Sequence, residues 1–187
     1  MENKPYELLS SRQLRAARFT VTEDELKLNG AGARYSFVNI RPGICVIIET
    51  PQGFAVLREY RYPIKRWSYE FAAGIIDEGE TAKEAALREA EEETGYIADE
   101  ITELGEFYPS FGATDEVIHL FHAFCTKKDR EEHEVTEMMT CELKSAEEIE
   151  EMMISGEFRH GAGLAAWLKF ILHRKQGSVG RTEQKNS

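Results

Sequence analysis

The stretch GIIDEGETAKEAALREAEEETGY, Gly74 to Tyr96, decides how the rest of the chain is read. Thr81 followed three residues later by Glu84 has the spacing of a capping box, and Gly95 suits the residue just past a helix C-terminus. A loop, a helix from about residue 82 and a sharp stop are therefore expected. At 100° per residue, Glu89, Glu92 and Glu93 share one side of that helix, at i, i+3 and i+4. Glu84 and Glu91 point elsewhere. Arg88 lies four residues from both Glu84 and Glu92, within reach of either carboxylate. Ala82, Ala85 and Ala86 fall on or beside the acidic side, where small side chains would let a bulky ligand approach. Three clustered carboxylates repel one another, and only Lys83 and Arg88 relieve them. Two readings follow from the pattern. One is a solvated acidic face; the other is a set of hard oxygen ligands for Mg²⁺ or Mn²⁺, which also coordinate phosphate.

Around this stretch lie 187 residues, enough for one domain with a small appendage. A composition of 42% hydrophobic and 30% charged residues suits a globular core. The net charge of −11, from 34 acids against 23 bases, argues against generic nucleic-acid binding, which rewards a basic surface. It leaves room for a small phosphorylated ligand bridged by metal ions. The N-terminus carries no apolar run of signal-peptide type, and no segment approaches the roughly 20 apolar residues of a membrane span. No membrane partner is expected. Cys45, Cys125 and Cys141 are odd in number and form no CxxC pair, so buried free thiols in a reducing cytoplasm are expected, and no zinc site.

The flanking segments read as strands and helices. RFTVTEDELKL and ARYSFVNI alternate apolar and polar residues, as half-buried strands do. GICVIIE and FAVLREYRY are two strands joined by a Pro/Gly turn, and SYEFAAG is a short strand ending at Gly74. ITELGEFYPS, VIHLFHAFCT and VTEMMTCEL are further strands, and KKDREEHE is a charged loop. SAEEIEEMMISGE opens with a second capping box, Ser145 with Glu148. GLAAWLKFILHR places Leu164, Trp167, Leu168 and Ile171 on one helical face that should pack on the body. Strands with a central helix and C-terminal helices indicate an α/β or α+β layered fold. The expected organisation is an N-terminal strand region at 1–39, a main domain at 40–174 and a polar, disordered tail at 175–187.

The loop before the acidic helix completes a longer pattern. Gly74 is followed after five residues by Glu80, after seven more by Arg88-Glu89, then by Glu92-Glu93 and Gly95. This resembles the Nudix box, G-x5-E-x7-R-E-U-x-E-E-x-G-U, with departures only at the bulky apolar positions, where Ala90 is small and Tyr96 aromatic. From about Leu8 to Arg174 the chain is similar to ADP-ribose pyrophosphatases and related nucleoside-diphosphate-sugar hydrolases, and REYRYPIKRWSYEFAAGIIDEGE looks like their lead into the box. The resemblance implies an α/β/α sandwich that binds Mg²⁺ and hydrolyses a diphosphate.

Carried over residue by residue, it implies metal ligands at Glu89, Glu92, Glu93 and the Ala73 carbonyl. Glu80 would organise the loop, and Arg88 would orient the glutamates. Arg61 resembles the arginine that contacts substrate phosphates, with Arg58 a weaker candidate. Glu70 would touch the substrate or brace the loop. Trp67, Tyr62 and Phe111 would stack on a base or pack. The general base would come from the loop after the box, where Glu131, Glu132 and Glu134 are candidates and Glu132 or Glu134 is favoured. The expected substrate is a nucleoside diphosphate sugar, first ADP-ribose, cleaved to AMP and ribose 5-phosphate. A homodimer is implied, with the N-terminal strands contributing to the partner's substrate site.

Two positions depart from the subfamily: Ala72 replaces the proline of PAG, and Phe111 replaces that of SPG. The second keeps GDP-mannose or another nucleotide sugar open. Dinucleoside polyphosphates or oxidised nucleoside triphosphates fit the long N-terminal region less well. A ligand-binding regulator without turnover predicts an eroded box, whereas this one is intact.

Overall fold

A computed structural model describes residues 4–128 and 139–183, with side chains as far as 176. By internal contacts these form two units. The first comprises the residues up to Arg41 together with Tyr108–Val117. It is an antiparallel three-stranded sheet of β1 (Tyr6–Ala16), β2 (Phe19–Leu28) and β3 (Ala31–Asn39), in that order. Val38 N–H donates to Ala113 O at 2.9 Å, and Asp115 accepts from Asn39 Nδ2 and Ile40 N–H, so the 108–117 segment is tied to the end of β3. β1 lies in the expected strand region but shows no alternation that would mark its bounds. All eleven of its residues are exposed, so no burial imposes alternation on its sequence. It is held instead by its ladder to β2 and by side-chain pairs such as Arg12–Glu23.

The second unit holds a seven-stranded mixed sheet. β4 (Gly43–Thr50) is its centre and is buried almost throughout, as expected for GICVIIE with both faces covered. On one edge β4 runs parallel to β10 (Ile118–Phe124), which pairs antiparallel with β9 (Glu100–Phe107). On the other edge it is shared. Ile48–Thr50 pair with β5 (Gly53–Arg61), whereas Gly43–Val46 pair with β7 (Ala72–Ile75). β6 (Arg66–Glu70) follows a short 3-10 turn at Tyr62–Ile64 and pairs with β5. SYEFAAG, read as one strand, is therefore two, broken at Phe71. The break places Glu70 opposite Leu57 on β5 and Ala73 opposite Cys45 on β4. β12 (Met139–Lys144) closes the β5 edge. β8 (Tyr96–Ile97) pairs with β11 (Lys127–Lys128), so the first two residues of KKDREEHE are paired rather than looped.

Helices cover both faces of this sheet. α1 (Ala82–Thr94) packs Ala85, Ala86 and Ala90 against Ile44, Val46, Leu57 and Phe121. The alanines expected to admit a ligand are thus core residues: their small size brings the helix close to the sheet. α2 (Ala146–Ser155) and α3 (Gly161–Glu183) cover the opposite face with Ile149, Met152, Ala166, Trp167 and Phe170. The buried stripe of α3 differs from the expected one, since Leu164 and Leu168 are exposed. Trp167 and Phe170 set the phase: both meet Phe54 edge-on, with ring centroids at 5.1 and 5.6 Å, and Trp167 stacks on Phe71. The backbone of α3 continues past Arg174 to Glu183, through residues placed by the sequence reading in the tail. Gly177 and Gly180 lower helix propensity without removing a hydrogen-bond donor, and no proline ends the run. Cys45 and Cys125 are buried free thiols, and Cys141 is a half-buried one. Among the described residues no helix is long and apolar enough to cross a membrane.

Candidate active site

Both expected capping boxes form. Thr81 Oγ1 accepts from Glu84 N–H at 3.2 Å while Glu84 Oε2 accepts from Thr81 N–H at 2.8 Å; Gly95 ends the helix at φ 72°. Ser145 and Glu148 repeat the arrangement on α2. Because Glu84 caps the helix, it is not Arg88's partner. Arg88 reaches backwards instead. Its Nε and Nη2 donate to the two oxygens of Glu80, each at 3.0 Å, and Nη2 also donates to the Ile75 carbonyl at 3.1 Å. This two-pronged pairing ties the loop to the helix. Nη1 donates to Glu89 Oε1 at 2.7 Å and to Glu92 Oε2 at 3.0 Å. The bonds to Glu80, then those to Glu89 and Glu92, hold Arg88 above its ordinary pKa. Arg88 in turn holds Glu80 below the usual carboxylate range.

Glu89 lies against the backbone of Gly74. A Cβ on Gly74 would fall 1.9 Å from Glu89 Oε1 and 2.1 Å from its Cδ. Burial raises the Glu89 pKa despite the bond from Arg88, so its charged form is costly without a further cation. Glu93, one helical turn on, accepts from Ala73 N–H at 3.0 Å. Two carboxylates of α1 are therefore brought onto the backbone of Ala73 and Gly74. Glu92 is half exposed and reaches the cluster through Arg88.

Beside Glu93 stands a second charge pair. Arg61 Nε donates to both oxygens of Glu70 at 3.0 Å, and Nη2 donates to Oε2 at 2.6 Å. Glu59, two residues back on the same strand face, is 3.0 Å from Arg61 Nη2. Burial works to lower the Arg61 pKa, but its bonds to Glu70 and the charges of Glu70, Glu59 and Glu93 outweigh it and raise it. Glu70 is held below the usual range, since Arg61 outweighs the burial that would raise it.

Arg58 is not brought to this cluster: one residue out of phase on β5, its guanidinium lies 4.4 Å from the centre of the Trp67 ring. Trp67 packs edge-on against Tyr60, and Tyr62 is exposed. Phe111 belongs to the first unit and is 83% exposed. Glu131, Glu132 and Glu134 lie outside the described residues. The sequence reading passed over Glu59, which the period-2 spacing to Arg61 could have flagged. It also passed over His160, whose charge interaction with Glu70 spans ninety residues and leaves no local signal.

Among the described residues, no three His, Cys, Asp or Glu side chains converge as a ready ligand set. Arg88 Nη1 bridges Glu89 and Glu92 and occupies one oxygen of each. The site nonetheless fits a hard divalent cation. Its donors are carboxylate oxygens, as such ions require, and the missing side chain of Gly74 makes the space that the Glu89 carboxylate fills.

The NUDIX domain family profile matches residues 39–166. The chain belongs to this family. It is 34% identical over 130 residues to an ADP-ribose pyrophosphatase of Bacillus subtilis (strain 168), covering 66% of this chain and 70% of that one. It is 30% identical over 103 residues to the ADP compounds hydrolase NudE of Escherichia coli (strain K12), covering 53% and 55%. A crystal structure of an ADP compounds hydrolase superposes with a TM-score of 0.84 at 20% identity, covering 95% of this chain and 98% of that one. The mixed sheet with helices on both faces is therefore the Nudix fold. The chain is a Nudix hydrolase related to ADP-ribose pyrophosphatases, an enzyme acting on pyrophosphate bonds.

Proposed function

We propose that this protein catalyses the Mg²⁺-dependent hydrolysis of the diphosphate bond in a nucleoside diphosphate sugar, with ADP-ribose as first substrate. The observation that carries the reading is the seating of Glu89 on Gly74 and of Glu93 on Ala73 N–H, next to the Arg61–Glu70 pair. It supports a reading in which carboxylates for a cation stand beside an arginine for a phosphate. The ADP-ribose pyrophosphatase of B. subtilis supports this substrate.

Glu89, Glu92, Glu93 and the Ala73 carbonyl would hold Mg²⁺, or Mn²⁺ in its place. Such an ion supplies Lewis acidity to the phosphate oxygens and acidifies water at the site. Arg61, kept charged and pointed by Glu70, neutralises and orients the diphosphate. Arg88, fixed by Glu80, sets the position of Glu89 and Glu92. A carboxylate takes the proton of the attacking water; Glu132 and Glu134 are the proposed bases. The water oxygen bonds to one phosphorus, the bridging P–O bond breaks, and the bridging oxygen leaves with the other phosphate. The products are AMP and ribose 5-phosphate.

GDP-mannose or another nucleotide sugar is the second reading. Phe111 stands where ADP-ribose enzymes carry proline, and the chain is 44% identical over 54 residues to a GDP-mannose pyrophosphatase of Yersinia enterocolitica. A homodimer is part of the proposal, supported by the exposed Leu8, Leu9 and Leu14 of β1. So is a cytoplasmic location, supported by the free cysteines.

The test is a panel of ADP-ribose, GDP-mannose, other nucleotide sugars and diadenosine polyphosphates, each with Mg²⁺ and with EDTA. Hydrolysis of ADP-ribose that stops with EDTA is expected. No turnover of any nucleotide sugar with Mg²⁺ overturns the proposal.

A further inference from the structure

We propose that His160, at the head of α3, is a sugar-binding residue that donates a hydrogen bond to a hydroxyl of the substrate's sugar, in a cavity shared with Arg61, Ser68 and Glu70. The inference rests on the nucleoside-diphosphate-sugar reading above and adds where the sugar sits and what recognises it.

The cavity has a volume of about 390 Å³, within the roughly 300–1,000 Å³ of small-molecule sites. The 3-10 turn at Pro63 and Ile64 forms one wall, and Arg159, His160 and Gly161 form another. Arg61 and Glu70 line it too, and Glu93 is close enough to Arg61 to stabilise its charge. The cavity therefore adjoins the carboxylates of α1. A diphosphate engaged by Arg61 directs its next group into this space.

The polar lining suits hydroxyls better than a further phosphate. Arg61 already spends three hydrogen bonds on Glu70, and the Glu70 carboxylate lining the cavity would repel a second anion. Ser68 adds a hydroxyl whose proton goes to Glu70, leaving its oxygen able to accept from a sugar hydroxyl. Arg159 is tied back to the end of α2, its Nε donating to the Gly156 carbonyl.

His160 supplies a neutral donor. Burial pushes its pKa down, against the charge of Glu70, so the ring is uncharged near pH 7. Its Nδ1 is buried without a hydrogen-bond partner, 3.2 Å from where a Cβ on Gly163 would sit. That spot overlies the first turn of α3, where backbone N–H groups leave a partial positive charge. A lone pair is favoured there and a proton is not. With Nδ1 enclosed and His160 lining the cavity, Nε2 is the ring nitrogen left to meet a ligand, and the tautomer protonated there donates to a hydroxyl.

The full-length protein with Mg²⁺ is assayed with ADP-ribose as substrate and with ADP, which lacks the sugar, as competitive inhibitor. His160→Phe keeps a ring and removes both nitrogens. It is expected to raise KM for ADP-ribose roughly threefold to tenfold, the worth of one hydrogen bond, with the inhibition constant of ADP and the melting temperature unchanged. His160→Asn, which retains a donor and caps helices well, is expected to recover part of the loss. Equal weakening of ADP-ribose and ADP, or no change in either, overturns the proposal. A second measurement needs no variant: ADP esterified with a simple alkyl group in place of the sugar is expected to show a raised KM. An equal KM overturns the proposal. Failure of the unaltered protein to hydrolyse any nucleotide sugar would instead overturn the reading on which this one stands.

Discussion

Gly74→Ala probes the candidate site through a steric conflict that the structure specifies. Gly74 is not among the glycines with positive φ, so alanine can adopt its backbone. The added Cβ would lie 1.9 Å from Glu89 Oε1 and 2.7 Å from Oε2. Ordinary contact begins at 3.4 Å, so the carboxylate must retreat by about 1.5 Å. It can do so, because it is the far end of a flexible side chain. The retreat breaks the 2.7 Å bond from Arg88, a loss of about 1 kcal/mol. Alanine's lower unfolded-state entropy offsets roughly half or more of that. The variant should therefore fold and melt close to the wild type. Activity should respond far more, since a misplacement of about 1 Å in a catalytic group costs on the order of 10²-fold. The assay is AMP release from ADP-ribose across a Mg²⁺ titration, with thermal melts alongside. A fall in kcat/KM of about 10²-fold or more is expected, and combination with Glu89→Gln should add little, because both act on one carboxylate. A folded Gly74→Ala protein with wild-type turnover and unchanged Mg²⁺ dependence would refute the assignment of Glu89 as a ligand.

Three further outcomes are expected. Glu93→Gln should lower kcat by about 10²-fold or more while leaving the melt intact, and a near-normal rate would show that the metal ligands are misassigned. Trp167→Ala should cost about 3–5 kcal/mol by denaturant unfolding, since it empties a buried site between Phe54, Phe71 and Phe170; a loss under about 1 kcal/mol would mean that α3 is not anchored there. The Arg61–Glu70 pair should give an acid-dependent stability. Burial would raise the Glu70 pKa, but the bonds and charge of Arg61 outweigh it and leave a folded value below the ordinary 4.5. Such a group stabilises the fold above pH 4.5 and loses that contribution as pH falls through its lower folded value. Acid unfolding below that pH should therefore be less steep in Glu70→Gln, and identical acid profiles would count against the pair.

How far the site could be read beforehand depended on whether its geometry was local. Capping boxes and the C-terminal glycine follow from spacings within four residues, and these formed as read. Helical phase, however, defines faces without saying which face is buried. On α3 the choice fell to Trp167 and Phe170 because Phe54 and Phe71 wait opposite them. Arg88 could satisfy i±4 partners on paper, but Glu84 was already claimed by Thr81, and the loop carried Glu80 within reach. β1 left no clean alternation because, among the described residues, all eleven of its positions are exposed. His160 left no trace because its neighbours Arg61 and Glu70 come from strands far away in sequence. Gly74 and Gly95 of the opening stretch separate these cases. Gly95 looks like a helix stop and is one, at φ 72°, a conformation that glycine adopts without strain. Gly74 looked like a matching boundary mark, yet its backbone is ordinary and its requirement is the absence of a side chain under the Glu89 carboxylate. That requirement is a contact across fifteen residues, between a strand and a helix, and only the folded chain reveals it.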